Sequence, residues 1–281
     1  MAEEKDSLQI RQVSKYFLEQ RARREIKVFE DFSLEISGRQ LVVLLGPSGC
    51  GKSTLLKMIA GLVKPDRGEI LVTGEPMKPY NPDAITIFQD YSLFPWRTAL
   101  GNVELPLESK NWKISDKQLR RDAARKALSK VGLEDRLYSY PKELSGGMQQ
   151  RVALARSVVV KPKILLMDEP FGALDAPTRT EMQGMLVSLW YELKNLVVFV
   201  THDIEEALIL GQRIVVLSER PATIVGDFHI DAEHPRNSDF LLRDSTKKVR
   251  NEILESLYSE RQLVLQKNGI EPGDHKQRRV G

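Results

Sequence analysis

The residues Gly46-Pro47-Ser48-Gly49-Cys50-Gly51-Lys52-Ser53-Thr54 follow the pattern G-x-x-x-x-G-K-[ST] and stand directly behind the apolar run Leu41–Leu45. That spacing predicts a buried strand, a glycine-rich turn and a helix opening near Lys52. The chemistry it offers is anion capture. Successive backbone N–H groups of such a turn converge on a concavity, and the helix N-terminus adds about half a positive charge. Gly46, Gly49 and Gly51 allow backbone angles and a close approach that a Cβ blocks. Lys52 is placed to reach the β- and γ-phosphates of a nucleoside triphosphate, and the Ser53 hydroxyl to ligate Mg²⁺. Cys50, the only thiol, admits two readings. It is either a thiolate favoured by the helix terminus and Lys52, or a small inert filler turned toward the core.

A second apolar run, Ile164–Met167, ends in Asp168-Glu169-Pro170. A strand that delivers an acid to the carboxyl edge of a parallel sheet puts it beside the phosphate loop. Asp168 is then the expected Mg²⁺ ligand, directly or through water, and Glu169 a base for the attacking water. A third segment, Leu144-Ser145-Gly146-Gly147-Met148-Gln149, offers a helix N-cap followed by two bare glycines. A phosphate can approach the backbone there, so the chain carries a second anion site.

The elements that position these residues are legible from periodicity. Leu8–Val13 and Phe32–Ile36 alternate apolar and polar residues as half-buried antiparallel strands do, and Glu69–Val72 and Ala84–Phe88 read as short strands. Between residues 100 and 137 the composition turns to Lys, Arg, Ala and Leu, with one amphipathic helix over Lys117–Val131 and another over Met148–Val160. Strands return at Ile164–Met167, Val197–Val200 and Ile214–Leu217, with a helix over Arg179–Lys194. Leu241–Gln266 reads as one amphipathic helix with Val249, Ile253, Leu257 and Leu263 on a stripe, and a polar tail follows. The expected fold is α/β, a mixed-sheet core with an N-terminal antiparallel portion and an inserted helical subdomain. A nucleotide-binding domain is expected over 8–232, its helical insert over about 95–160, and a C-terminal extension over 233–281.

Composition narrows the classes. A net charge of +3, from 42 basic and 39 acidic residues, is too small to imply a nucleic-acid partner. Arg21, Arg23, Arg24 and Lys27 alternate with acids and read as a solvated loop. One cysteine excludes an internal disulfide and fits a reducing compartment. The apolar runs are far shorter than the roughly 20 residues a bilayer needs, and the opening Met1–Asp6 is polar. A cytoplasmic location without a transmembrane segment is the expectation.

Taken together, the segments resemble the ATP-binding subunits of ABC transporters. Six elements of that family stand in order: the phosphate loop Gly46–Thr54, Gln89, the signature Leu144–Gln149, the strand Ile164–Glu169, the loop Ala173-Leu174-Asp175 and the lone His202. The resemblance spans about Leu8 to Leu217 and implies ATP and Mg²⁺ as ligands. It implies that Phe17 stacks on adenine, with Tyr16 as the alternative, and that Gln89 contacts Mg²⁺ and the γ-phosphate. Ser145, Gly146 and Gly147 would close over ATP held by an opposite subunit, Asp175 would lie at the dimer seam, and His202 would hold the γ-phosphate and attacking water. Taken alone, His202 is as well read as an ordinary strand-end histidine. Met148 departs from the glutamine of the commonest signature.

Leu93-Phe94-Pro95-Trp96 with Asn102-Val103, and Leu217–Pro221, look like the importers of nitrate, sulfonates, taurine and bicarbonate. That subgroup implies two membrane permease subunits, an extracytoplasmic solute-binding protein, a second ATPase subunit, and a peripheral place on the cytoplasmic face of the membrane. The Phe94–Trp96 aromatics are then an anchor for a permease helix, or else a satellite of the core. An exporter or lipid-transport ATPase shares all six motifs. A soluble ABC ATPase acting on nucleic acid or ribosomes, and a non-catalytic scaffold, fit less well.

Overall fold

Strand β3 (Leu41–Leu45) is apolar at every position and wholly buried, as a strand covered on both faces must be. It pairs in parallel with β8 (Leu196–Thr201) on one side and β9 (Arg213–Leu217) on the other. Beyond β8 lie β7 (Ile164–Asp168) and β6 (Ala84–Ile87), both parallel, while β10 (Ile224–His229) closes the far edge antiparallel to β9. Side chains alternate across this sheet: Leu41, Val43 and Leu45 enter one core, and Val42 and Leu44 the other. Each such Leu or Val stabilises the fold by about 1.5–3 kcal/mol relative to exposure. The computed structural model describes residues 7–19, 24–109 and 114–267, the side chains of 259–267 excepted.

One face of the sheet is covered by α1 (Lys52–Ile59) and by a four-stranded antiparallel sheet. Its strands are β1 (Ser7–Glu19), β2 (Arg24–Ser37), β4 (Arg67–Val72) and β5 (Glu75–Pro76), in the order β2-β1-β4-β5. The other face carries the helices. Three of them, α2 (Ala99–Glu104), α3 (Lys117–Lys130) and α4 (Gly146–Val158), fall between β6 and β7. After β7 come α5 (Ala176–Leu193) and α6 (Ile204–Leu210), and α7 (Ser238–Leu242) and α8 (Asp244–Lys267) end the described chain. The α/β class, the mixed sheet and the antiparallel N-terminal portion are as expected. Among the described residues no helix is long and apolar enough to cross a membrane.

The structure departs from the sequence reading at element ends. Arg24 and Lys27 lie in β2 rather than a loop, because the hairpin with β1 continues to Glu19; Arg24 pairs with Glu19 at 2.7 Å and Lys27 with Glu30 at 2.6 Å. Arg21 and Arg23 lie outside the described residues. Helix α4 opens at Gly146 rather than Met148, because Ser145 caps it. Helix α5 opens at Ala176 rather than Arg179, since Asp175 caps it and Pro177 tolerates the first turn. The single helix expected over 241–266 is two, broken where Arg243 is extended and Asn237 caps the first. The stripe still faces inward: Ile253 is fully buried, and Val249 and Leu257 pack against the larger core. Leu263 has a side chain outside the described set, as do all residues of the polar tail after 267.

Candidate functional site

The carboxyl ends of β3, β7 and β8 lie side by side, with Leu45 level with Thr201 and Asp168 level with Val200. Lys52, Ser53, Asp168, Glu169 and His202 all stand at or just after the strands that end along this edge. From β3 the chain turns through Gly46–Gly51, with Cys50 N–H donating to Pro47 C=O at 3.3 Å. Gly49 (φ +82°) and Gly51 (φ +127°) occupy conformations that L side chains avoid. Gly51 is also pressed: a Cβ there would stand 2.5 Å from Val28 Cγ1. Gly46 has a packing reason instead, since its Cβ would meet Leu217 C=O at 2.8 Å. The loop is thus clamped between β2 and β9, with Ser48 and Gly49 at its exposed tip.

Lys52 is only 4% exposed, and its Nζ donates to the carbonyls of Gly46 at 2.7 Å and Pro47 at 3.0 Å. Its charge is held inside the loop. Beside it the Ser53 hydroxyl donates to Asp168 Oδ1 at 2.8 Å, and Thr54 follows, half-buried. Burial pushes the Asp168 carboxyl above the usual carboxylate range, against the lowering effect of the Ser53 hydrogen bond. A hydroxyl and a carboxylate at this separation are the hard oxygen donors that Mg²⁺ takes.

Glu169 follows β7 in a left-handed conformation (φ +44°), and its N–H donates to Val200 C=O at 3.1 Å. That costs of order 1–3 kcal/mol for a residue with a Cβ. It turns the carboxylate to meet His202 Nδ1 at 3.1 Å across the ends of β7 and β8. Gln89 lies exposed in the turn two residues past β6, the neighbour of β7.

Ser145 accepts from Met148 N–H at 3.3 Å and so caps α4. The two glycines after it differ. A Cβ on Gly146 would meet nothing within 4 Å, whereas one on Gly147 would stand 2.7 Å from Thr178 Cγ2 of α5. Gly146 leaves open backbone for a ligand; Gly147 lets two helices touch. Among the described residues no hydrogen bond joins this head of α4 to the phosphate loop. Asp175 is exposed and caps α5, its carboxyl held below the usual range by Thr178. Phe17, on β1, is 43% exposed, with Lys15 Nζ 5.3 Å from its ring centroid.

Cys50 is buried at 2% exposure, and burial outweighs the neighbouring Lys52 to push its thiol up. The electropositive, reactive reading is therefore corrected: this thiol is a small filler of the core beneath the loop.

The loop Gln89–Trp96 is pinned from below. Buried Asn102 accepts from Phe94 N–H at 2.8 Å and donates to Arg97 and Thr98 carbonyls, while Arg156 of α4 donates to the carbonyls of Tyr91 and Ser92. Trp96 stands 71% exposed, edge-on to Phe94. Sequence reasoning missed three buried groups near the site: Gln150, which donates to Pro170 C=O at 2.5 Å, and Gln183 with Glu206, bonded at 3.3 Å. No local pattern signals such partners.

The family model described as ABC transporter matches residues 29–172. An uncharacterized ABC transporter ATP-binding protein of Methanocaldococcus jannaschii is 44% identical over 239 residues, 83% of this chain and 88% of that one. The nitrate import ATP-binding protein of Synechococcus elongatus is 38% identical, with 82% and 84% covered, and the aliphatic sulfonates import ATP-binding protein of Bacillus thuringiensis 40%, with 89% and 95% covered. Among solved structures, a dimeric ATP-binding cassette in a post-hydrolysis state with ADP and Pi superimposes with a TM-score of 0.70 at 33% identity, covering 80% of this chain and all of that one. With likeness in sequence and fold spanning both the loop edge and α4, the chain belongs to the ABC transporter family, as an ATP-hydrolysing subunit that energises transport.

Proposed function

We propose that this subunit drives import of a small anion, of the nitrate or sulfonate kind, through a membrane permease fed by a solute-binding protein. The relatives whose names specify nitrate and aliphatic sulfonates import support the direction and the solute class. The pinned loop ending in exposed Trp96 supports a permease contact, since rigid exposed aromatics anchor interfaces. Residues 8–232 form the ATPase domain, with the helical insert over about 95–160, and 233–281 form the extension. The subunit then sits on the cytoplasmic face of the membrane, paired with a second ATPase chain.

The Glu169–His202 contact at 3.1 Å carries the catalytic reading. Glu169 takes a proton from water as its oxygen bonds to the γ-phosphorus and the bond to the β-phosphate oxygen breaks. His202 holds the carboxylate at Nδ1 and leaves Nε2 for the γ-phosphate. Lys52 exchanges the carbonyls of Gly46 and Pro47 for phosphate oxygens. Ser53 and Asp168, with Gln89, are the groups that would hold Mg²⁺, which supplies charge neutralisation between the phosphates when bound. Phe17 stacks on adenine, and the heads of α4 and α5, through Ser145, Gly146, Gly147 and Asp175, complete the site of a facing copy.

Glu169→Gln keeps size and hydrogen bonding but removes the base. Turnover should fall by about 10²-fold or more, while Mg²⁺-ATP drives a persistent dimer on size exclusion. Rapid hydrolysis by that variant would place the base elsewhere. Proteoliposomes holding the subunit with its permease should accumulate a small oxyanion in an ATP-dependent way; efflux instead would reverse the direction.

A further inference from the structure

The loop that carries His202 is fastened to the head of α5 by side chains outside the six motifs. Arg179, in the first turn of α5, donates to Leu174 C=O at 3.1 Å, and its guanidinium lies 3.8 Å from the carboxylate of Asp203, the residue after His202. One turn along, Gln183 Nε2 donates to Glu206 Oε1 at 3.3 Å. Asp203 in turn caps α6, accepting from the N–H groups of Glu205 and Glu206, and its own N–H donates to Thr201 Oγ1. Two helix heads are thereby cross-linked: one carries Asp175, and the other begins immediately after His202.

Gln183 and Glu206 are only 6% and 7% exposed. A buried carboxyl whose hydrogen bonds come from a neutral amide and the Thr201 hydroxyl is expensive for packing alone, because a well-fitted apolar pair would serve that purpose at lower cost. What the polar pair adds is direction. Glu206 also lines the cavity of about 60 Å³ that opens to Glu169, Thr201, His202, Asp203 and Arg179, so it reaches the same enclosed space as the catalytic pair.

We propose that Gln183 and Glu206 are positioning residues for ATP hydrolysis. Their bond, assisted by Arg179 and Asp203, holds the His202 loop in register with the head of α5. Movement at Asp175, where a facing copy would press, is thus delivered to the Glu169–His202 contact within the same chain. The inference rests on the reading of His202 and Asp175 given above.

Steady-state ATPase of the full chain, with Tm measured alongside, tests it. Gln183→Met keeps length and volume while removing the donor; kcat should fall about tenfold or more with KM for ATP unchanged. Glu206→Gln retains an acceptor for Gln183 and should stay within about threefold of the parent. The exchanged pair Gln183→Glu with Glu206→Gln restores the bond with its donor and acceptor reversed and should recover most of the kcat lost by Gln183→Met. A Gln183→Met chain that turns over normally but melts earlier has lost a merely structural tie, which would overturn the proposal; so would failure of the exchanged pair to recover kcat in a folded chain. His202→Ala separates the two levels. If it turns over normally, the reading of His202 as a catalytic residue fails; if it is inactive while Gln183→Met is normal, only the positioning role fails.

Discussion

The phosphate-loop edge and the head of α4 are both helix N-termini set to receive anions, yet they are finished to different degrees. Along the loop edge the central charged and hydroxyl groups already have partners: Lys52 lies on two carbonyls, Ser53 on Asp168, and Glu169 on His202. The head of α4 has a capping serine and a glycine opening onto free space. On the proposed reading, one region is a preorganised cradle that exchanges internal partners for phosphate, and the other is half a site whose complement would lie on a facing copy. That difference is what a motor driven by dimer closure would need, since ATP bound to one half would create the surface that the other half recognises.

The largest expected effect breaks the finished half. Lys52→Ala should lower ATP turnover by at least about 10²-fold, because it removes preorganised charge facing the transferred phosphoryl group. The fold should hold, since the two freed carbonyls are at the loop and not in the sheet. Turnover within a few-fold of the parent would remove this loop from the chemistry.

Breaking the unfinished half should leave nucleotide binding intact and abolish pairing. Ser145→Arg fills the phosphate approach with a bulky cation, so ATP should bind each chain without dimer formation on size exclusion. A mixed dimer of one Ser145→Arg chain and one Lys52→Ala chain puts both lesions into one composite site and spares the other. If pairing instead requires both lesions in the same chain, the two halves meet within one copy and the facing arrangement is wrong.

A smaller effect separates the two signature glycines. Gly147→Ala drives a methyl group to 2.7 Å from Thr178 Cγ2 and should cost about 1–2 kcal/mol in urea unfolding. Gly146→Ala meets open space, so stability should hold or rise by up to about 1 kcal/mol from helix propensity. It should nonetheless weaken ATP-driven dimerisation, because its methyl group stands where the phosphate approaches. Equal stability losses at both positions would make the pair a packing device only.

Much of this division was legible in the sequence, for local reasons. Apolar runs marked the central strands, and the cap Ser145 marked where α4 begins, although its start was read two residues late; the start of α5 was read three residues late because Asp175 reads in sequence as a loop residue and not as its cap. Strand β10 escaped because, as a half-exposed edge element, Ile224–His229 has a weak apolar pattern. The hairpin of β1 and β2 was read too short because charged pairs carry it outward past the core. At the site, residue identities could be read but not their present partners. The left-handed turn at Glu169, the folded-back Lys52 and the Gln183–Glu206 bond each depend on chain segments distant in sequence, which no local periodicity encodes.

Cys50 gives the smallest expected effect and the finest comparison, since it stands inside the phosphate loop but belongs to the core beneath it. The helix terminus and Lys52 favour a thiolate, while burial disfavours any charge, and burial prevails. With the thiol pKa raised, the neutral form persists at neutral pH, and reactivity appears only at a pH above that of a free cysteine or after unfolding. Maleimide should therefore label the native chain at least about 10²-fold more slowly than the urea-unfolded chain. Saturating ATP should change the native rate little, because the sulfur faces the core and not the phosphates. Cys50→Ala should keep ATPase activity within about threefold. Fast native labelling that ATP blocks would mean that the thiol faces the nucleotide, and that the loop edge is less firmly closed on its core side than Gly46 and Gly51 require.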